Sequence, residues 1–294
     1  MDASIPRYDP DARVDFDLSE VEYAQIDGKP WLARVYQPRG TGPFPALLDL
    51  HGGVWSTGTR VTDEVIHRAL AASGILVVAP DFRLAPAHPY PASIADTNLA
   101  TRWLKAHARD FNATSVGLGV RGGSSGGHMA MLSAMRPNDP RYTVHSLPEG
   151  SSLDASVAYV VACWSILDPY ARYFFARDIG RQEIVKRTDG YFLSETAMQE
   201  GSPKLILDRG ESVLLPPVLI LQGTEDTNVT PALQEHFVQS YRARGGEATL
   251  EIFEGMPHSF IRDASGPESE RALALMKRFI ARQLERAGEP ATAR

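Results

Sequence analysis

"SVGLGVRGGSSGGHMAMLSAM", residues 115–135, runs from an apolar stretch through a glycine-rich turn into residues that suit a helix. Two overlapping Gly-x-Ser-x-Gly frames share the turn: Gly122 to Gly126 centres on Ser124, and Gly123 to Gly127 centres on Ser125. A serine on a tight strand-to-helix turn is the arrangement of a nucleophile elbow, and the glycines allow the strand and helix to approach closely. A turn with a capping serine has the same letters. The role and the frame must therefore come from the rest of the chain.

On both sides of the turn, short apolar runs recur: "FPALLDLHGG" (44–53), "GILVVAPDF" (74–82), "VAYVVACW" (157–164), "PPVLILQG" (216–223) and "ATLEIFEG" (248–255). Most are separated by segments long enough to hold a helix, which predicts a parallel sheet covered on both faces. Helical spacing of apolar residues predicts crossover helices in 96–109 and 230–244. A last helix is expected over 267–287, with Pro267 at its start. "VEYAQID" and "PWLARVYQP" flank Gly28 and read as an antiparallel hairpin ahead of the parallel part. Between 164 and 210 the rhythm breaks into an aromatic and charged stretch, expected to be a cap or lid.

The chain of 294 residues, 43% hydrophobic, is expected to form one domain over 1–294, with cap elements from 1–20 and 164–210. A net charge of -6 and scattered Lys and Arg argue against nucleic acid as a partner. The start lacks the basic end and apolar run of a signal peptide, and no stretch approaches a membrane span, so a soluble cytoplasmic protein is expected. Cys163 is the only cysteine and is expected to be a buried strand residue.

"LLDLHGGVW" (47–55) ends an apolar strand with consecutive glycines, which let backbone amides turn toward one point, as an oxyanion site needs. About thirty residues on comes "DFRLAPAHPYPA" (81–92). In this order the motifs resemble those of the α/β-hydrolase esterases of the hormone-sensitive-lipase type. The elbow of that family reads G-D-S-A-G-G, and its later segment reads D-Y-R-L-A-P-E-x-P-F-P-A. The resemblance spans roughly Leu47 to Phe260. It implies an α/β-hydrolase fold: a mostly parallel eight-stranded sheet with helices on both faces and a cap insertion.

The resemblance also implies Ser124 as nucleophile, with Ser125 as the fallback. Gly52, Gly53 and Ser125 would then supply the oxyanion amides, and Asp81 and Arg83 would pair as a brace for that loop. Gly123 stands where the family commonly has an acid. "HGGVW" also fits the H-G-G-x-W of kynurenine formamidases.

A serine nucleophile needs a base in reach and a carboxylate to orient it, in the chain order Ser, Asp or Glu, His. Asp226 follows the "VLILQG" strand at the carboxyl edge, where active sites of parallel sheets form. Glu225 is adjacent, but the family spacing favours Asp226. After it come only His236, inside a predicted amphipathic helix, and His258, in the loop "MPHSF" after the last strand. His258 is the expected base. His51 and His128 are expected near the site without taking the proton, and Asp168 and Asp208 belong to the cap.

These residues predict a cofactor-free serine hydrolase acting on small carboxylic esters, short-chain or aryl, through an acyl-enzyme. An amidase or arylformamidase with the same triad is the alternative. A non-catalytic ligand-binding member of the fold is the third reading. A homodimer is expected by analogy alone.

Overall fold

The computed structural model describes residues 6–147, 152–262 and 266–288. Its centre is one eight-stranded sheet of β1 (Phe16–Ile26), β2 (Lys29–Pro38), β3 (Phe44–Leu50), β4 (Leu76–Pro80), β5 (Ala113–Gly123), β6 (Tyr159–Cys163), β7 (Val218–Gly223) and β8 (Ala248–Phe253). The spatial order is β1-β2-β4-β3-β5-β6-β7-β8. β1 and β2 are antiparallel, β2 meets β4 antiparallel, and every later pairing is parallel.

β3, β4, β6 and β7 are buried at every residue. A strand covered on both faces has no polar side to show, hence the continuous apolar runs. β1 sits at the edge and is largely exposed over its first half. Its hairpin turns at Asp27 and Gly28, both with positive φ (54° and 72°), the backbone that a two-residue turn between right-twisted strands requires.

Helices cover both faces. α1 (Glu64–Ala71) and α9 (Pro267–Gly288) close one; α2 (Ala92–His107), α3 (Ser125–Met135) and α8 (Pro231–Ala243) close the other. Between β6 and β7 the chain makes four short helices: α4 (Pro169–Asp178), α5 (Gln182–Phe192), α6 (Glu195–Glu200) and α7 (Pro203–Asp208). Asp168, Ser194 and Ser202 cap three of them by accepting a backbone N–H.

Of the segment 1–20 expected in a cap, residues 1–5 lie outside the described residues, and 6–20 lie against the sheet and α1 instead. Phe16 to Glu20 are already β1, paired with β2 from Phe16↔Pro38 onward. Before them, Val14 N–H donates to Ala72 O and the Tyr8 hydroxyl lies 3.0 Å from Ser73 Oγ. These contacts tie the described part of the leader to the end of α1.

Candidate active site

The turn after β5 sets the two serines differently. Ser124 has φ 54° and ψ −120°, a strained backbone for any residue but glycine, and it directly precedes α3. Its neighbours must be small. A Cβ on Gly126 would lie 2.0 Å from Leu50 O, and one on Gly122 would lie 2.4 Å from Gly126 backbone. Ser124 Oγ is 3.1 Å from His258 Nε2. Ser125 Oγ is turned away and accepts from Trp55 N–H at 3.1 Å.

His258 sits in the loop after β8, and its Nδ1 is 2.7 Å from Asp226 Oδ2. Asp226 lies in the loop after β7 and is held tightly. Its Oδ1 accepts from the Asn228 and Val229 amides, both at 2.8 Å, and Oδ2 also accepts from Gln222 Nε2 at 3.1 Å. Burial favours its protonated form but is outweighed by the hydrogen bond and charge of His258 and by those two amides. The carboxyl group is therefore held below its ordinary value. With the carboxylate accepting at Nδ1, the imidazole carries its proton there and leaves Nε2 free to accept from Ser124.

The glycines of the loop after β3 lie against the elbow. A Cβ on Gly52 would approach Ser124 Cβ to 3.0 Å and Gly123 O to 2.9 Å. Gly53 has φ 127°, and its carbonyl accepts from the amides of Ser56 and Thr57, closing the loop. Among the described residues, the N–H groups of Gly52, Gly53 and Ser125 have no hydrogen-bond partner. Free amides beside a strained serine can receive negative charge on an oxygen. Positive-φ residues crowd this region: Val54, Trp55, Ser124, Trp164 and Ser259.

The remaining histidines divide as their surroundings dictate. His51 is buried, stacks on Phe82 at 4.2 Å, and has its pKa lowered by burial. His128 accepts from Trp55 Nε1 at 3.0 Å and donates to Gly201 O at 2.8 Å, and burial lowers it to about 4. It is a neutral strut between the loop after β3 and the helices after β6. His236 is on the exposed side of α8. Asp168 caps α4, and Asp208 pairs with Lys204. Burial pushes the Cys163 thiol up, so it stays protonated at the end of β6.

Asp81 and Arg83 do not pair with each other. Arg83 forks onto Asp96 of α2, with Nη2 at 2.7 Å, while Asp81 accepts from the backbone and guanidinium of Arg60. Each has a partner better placed than its near neighbour, and only Asp81 braces the segment that follows Gly53. Reading the sequence also missed three contributors. Trp55 stacks on Tyr191 of α5 at 4.6 Å with the rings 2° from parallel. Arg172 of α4, fully buried, donates to Asn228 Oδ1, and Asn228 Nδ2 is 3.2 Å from His258 Nε2. The "HGGVW" stretch carried a signal for Trp55; nothing local marked Arg172 or Asn228.

The fold is that of the α/β-hydrolases, and solved esterase structures superpose on it. The hyperthermophilic esterase from Pyrobaculum calidifontis does so with a TM-score of 0.74 at 24% identity, over 90% of this chain and 85% of that one. The family model BD-FAE matches residues 34–241, and the chain belongs to that family. It is similar to the esterase LipC of Mycobacterium tuberculosis, 31% identical over 230 residues, which are 75% of this chain and 54% of LipC. It is also similar to the probable carboxylic ester hydrolase LipM of that organism, 28% identical over 69% of this chain and 46% of LipM. The chain thus spans about half the length of these curated relatives. No described helix is long and apolar enough to cross a membrane.

Proposed function

We propose that the chain is a carboxylic ester hydrolase that works through Ser124, His258 and Asp226. The observation that carries this reading is the continuous chain of contacts from Ser124 Oγ to His258 Nε2 at 3.1 Å and from Nδ1 to Asp226 Oδ2 at 2.7 Å. Its relatives named as esterases support the same chemistry.

In this reading His258 Nε2 takes the Ser124 proton as Oγ adds to the ester carbonyl. Asp226 holds the imidazole and stabilises the imidazolium. The amides of Gly52, Gly53 and Ser125 receive the oxyanion; each such donor is worth about 3 kcal/mol in the transition state. His258 then passes its proton to the departing alkoxide, leaving an acyl-Ser124. Water then adds to the acyl carbonyl, giving a proton to His258; as the acyl C–O bond to Ser124 breaks, Oγ takes that proton back and the acid is released. Residues 164–210 form the cap of a single domain. Their descent onto the oxyanion-type loop, through Trp55 on Tyr191 and His128 on Gly201, supports short-chain or aryl esters as substrates. The proposal includes a cytoplasmic setting, consistent with a lone cysteine buried in the sheet.

Hydrolysis of nitrophenyl esters from acetate to dodecanoate tests this reading. Short esters should turn over, with activity falling along the series. Turnover of aryl formamides with none of any ester would favour the amidase alternative. Binding of esters without turnover of either class would favour a non-catalytic member of the fold.

A further inference from the structure

The side-chain amide of Asn228 cannot turn around. Arg172 Nε and Nη2 both donate to its Oδ1, at 3.2 Å and 2.6 Å, and a guanidinium has only donors to offer. The oxygen end is therefore fixed on Arg172, and the Nδ2 end is fixed toward His258 Nε2 at 3.2 Å. Arg172 is completely buried on α4, and among the described residues its Nη1 has no partner, so Asn228 is its principal anchor.

This places two donors at one nitrogen. Ser124 Oγ–H and Asn228 Nδ2–H both face Nε2, which has a single in-plane lone pair when Nδ1 holds its proton for Asp226. While the serine is unreacted the two share it. Once the Ser124 proton has moved to Nε2 that lone pair is gone, and the locked Nδ2–H needs another acceptor. The oxygen that arrives there is the one that Nε2–H must reach, the alkoxy oxygen of the departing alcohol.

We infer that Asn228 is a further catalytic residue, donating a hydrogen bond from Nδ2 to the leaving-group oxygen as the tetrahedral intermediate collapses, and that buried Arg172 is the positioning residue that aims it. The C–O bond to the alcohol breaks, its electron pair goes to the alkoxy oxygen, and that oxygen takes the proton from His258 Nε2. Asn228 keeps its own proton and stabilises the negative charge that builds before the transfer is complete. Such help matters most for strongly basic leaving groups, so the device fits esters of ordinary aliphatic alcohols. The inference rests on the Ser124 and His258 reading given above.

The test is a leaving-group series of acetates, from 4-nitrophenyl through phenyl to benzyl and ethyl, with kcat/KM measured for wild type, Asn228→Ala, Arg172→Met and Ser124→Ala. Asn228→Ala should lose about 100-fold on the alkyl esters and stay within about threefold on the 4-nitrophenyl ester, the range expected for one donor. Arg172→Met should show the same selectivity for alkyl esters. Labelling of Ser124 by a fluorophosphonate, whose fluoride leaves without a proton, should be no slower than wild type in both variants. An equal fall across the series, with slower labelling, would make Asn228 a structural residue and overturn the inference. A rise in activity on all esters would show that Nδ2 only competes with Ser124, and would also overturn it. A leaving-group effect in Asn228→Ala without one in Arg172→Met would remove Arg172 from the device. If Ser124→Ala hydrolyses every ester as the wild type does, the underlying triad reading fails instead.

Discussion

Ser124 Oγ and His258 Nε2 lie 3.1 Å apart although 134 residues separate them in the chain. The meeting is a property of the sheet. Ser124 leaves the carboxyl end of β5 and His258 follows the carboxyl end of β8, and parallel strands bring those ends to one edge. Asp226, after β7, lies on the same edge, on the far side of His258 from Ser124.

Asp226 accepts from His258 Nδ1, and the amides of Asn228 and Val229 keep the carboxylate in place; in the proposed mechanism it opposes the charge that develops on His258. Asp226→Asn retains the size but offers an N–H where Nδ1 needs an acceptor, which favours the wrong tautomer. We expect kcat on a short nitrophenyl ester to fall about 10⁴-fold, as for a triad aspartate, and the melting temperature to fall as well, because every oxygen position of the buried carboxylate faces a donor. Steady-state kinetics beside a melting curve separates the two effects.

Arg121 in β5 lies under the site with no exposure, and its Nη1 donates to Asp49 at 3.0 Å and to Asp63 at 2.6 Å. Asp63 also holds Arg262, four residues past His258. Arg121→Met would leave two buried carboxylates facing each other without their shared cation. We expect a loss of about 3–5 kcal/mol in urea unfolding, the usual result of removing one partner from a buried ion network.

His128 gives a pH dependence whose sign is fixed. Its folded pKa is lowered from 6.5 to about 4 by burial, so the unfolded chain binds a proton that the folded protein refuses. Its effect on stability is neutral above pH 6.5 and increasingly unfavourable as pH falls from there toward about 4, by up to about 1.4 kcal/mol per pH unit. His128→Asn should lose less stability between pH 7 and pH 5 than the wild type does. Urea midpoints at the two values measure it.

Much of this was legible in the chain because burial writes itself into composition. β3, β4, β6 and β7 are covered on both faces, so they read as unbroken apolar runs, and the residues just past them fall at the edge where the site forms. Strand ends put Ser124, Asp226 and His258 among the candidates, and the resemblance to the hormone-sensitive-lipase-type esterases chose Ser124 over Ser125 and Asp226 over Glu225. α1 was not visible: Asp63, at its start, makes no capping bond and is engaged by Arg121 and Arg262 instead. Arg172 and Asn228 left no local trace either. Their contact joins positions 56 residues apart, and an arginine on a polar-looking cap helix gives no sign that it will be wholly buried. The expected pairing of Asp81 with Arg83 failed for a related reason, since Arg60 and Asp96 reach them from other elements.

The most direct test of the account is covalent: treat the wild type, Ser124→Ala and Ser125→Ala with a fluorophosphonate, measure intact mass, and map the modified peptide. The account predicts one adduct on Ser124 in the wild type and in Ser125→Ala, and none in Ser124→Ala. An adduct on Ser125, or an unmodified wild type, would contradict it.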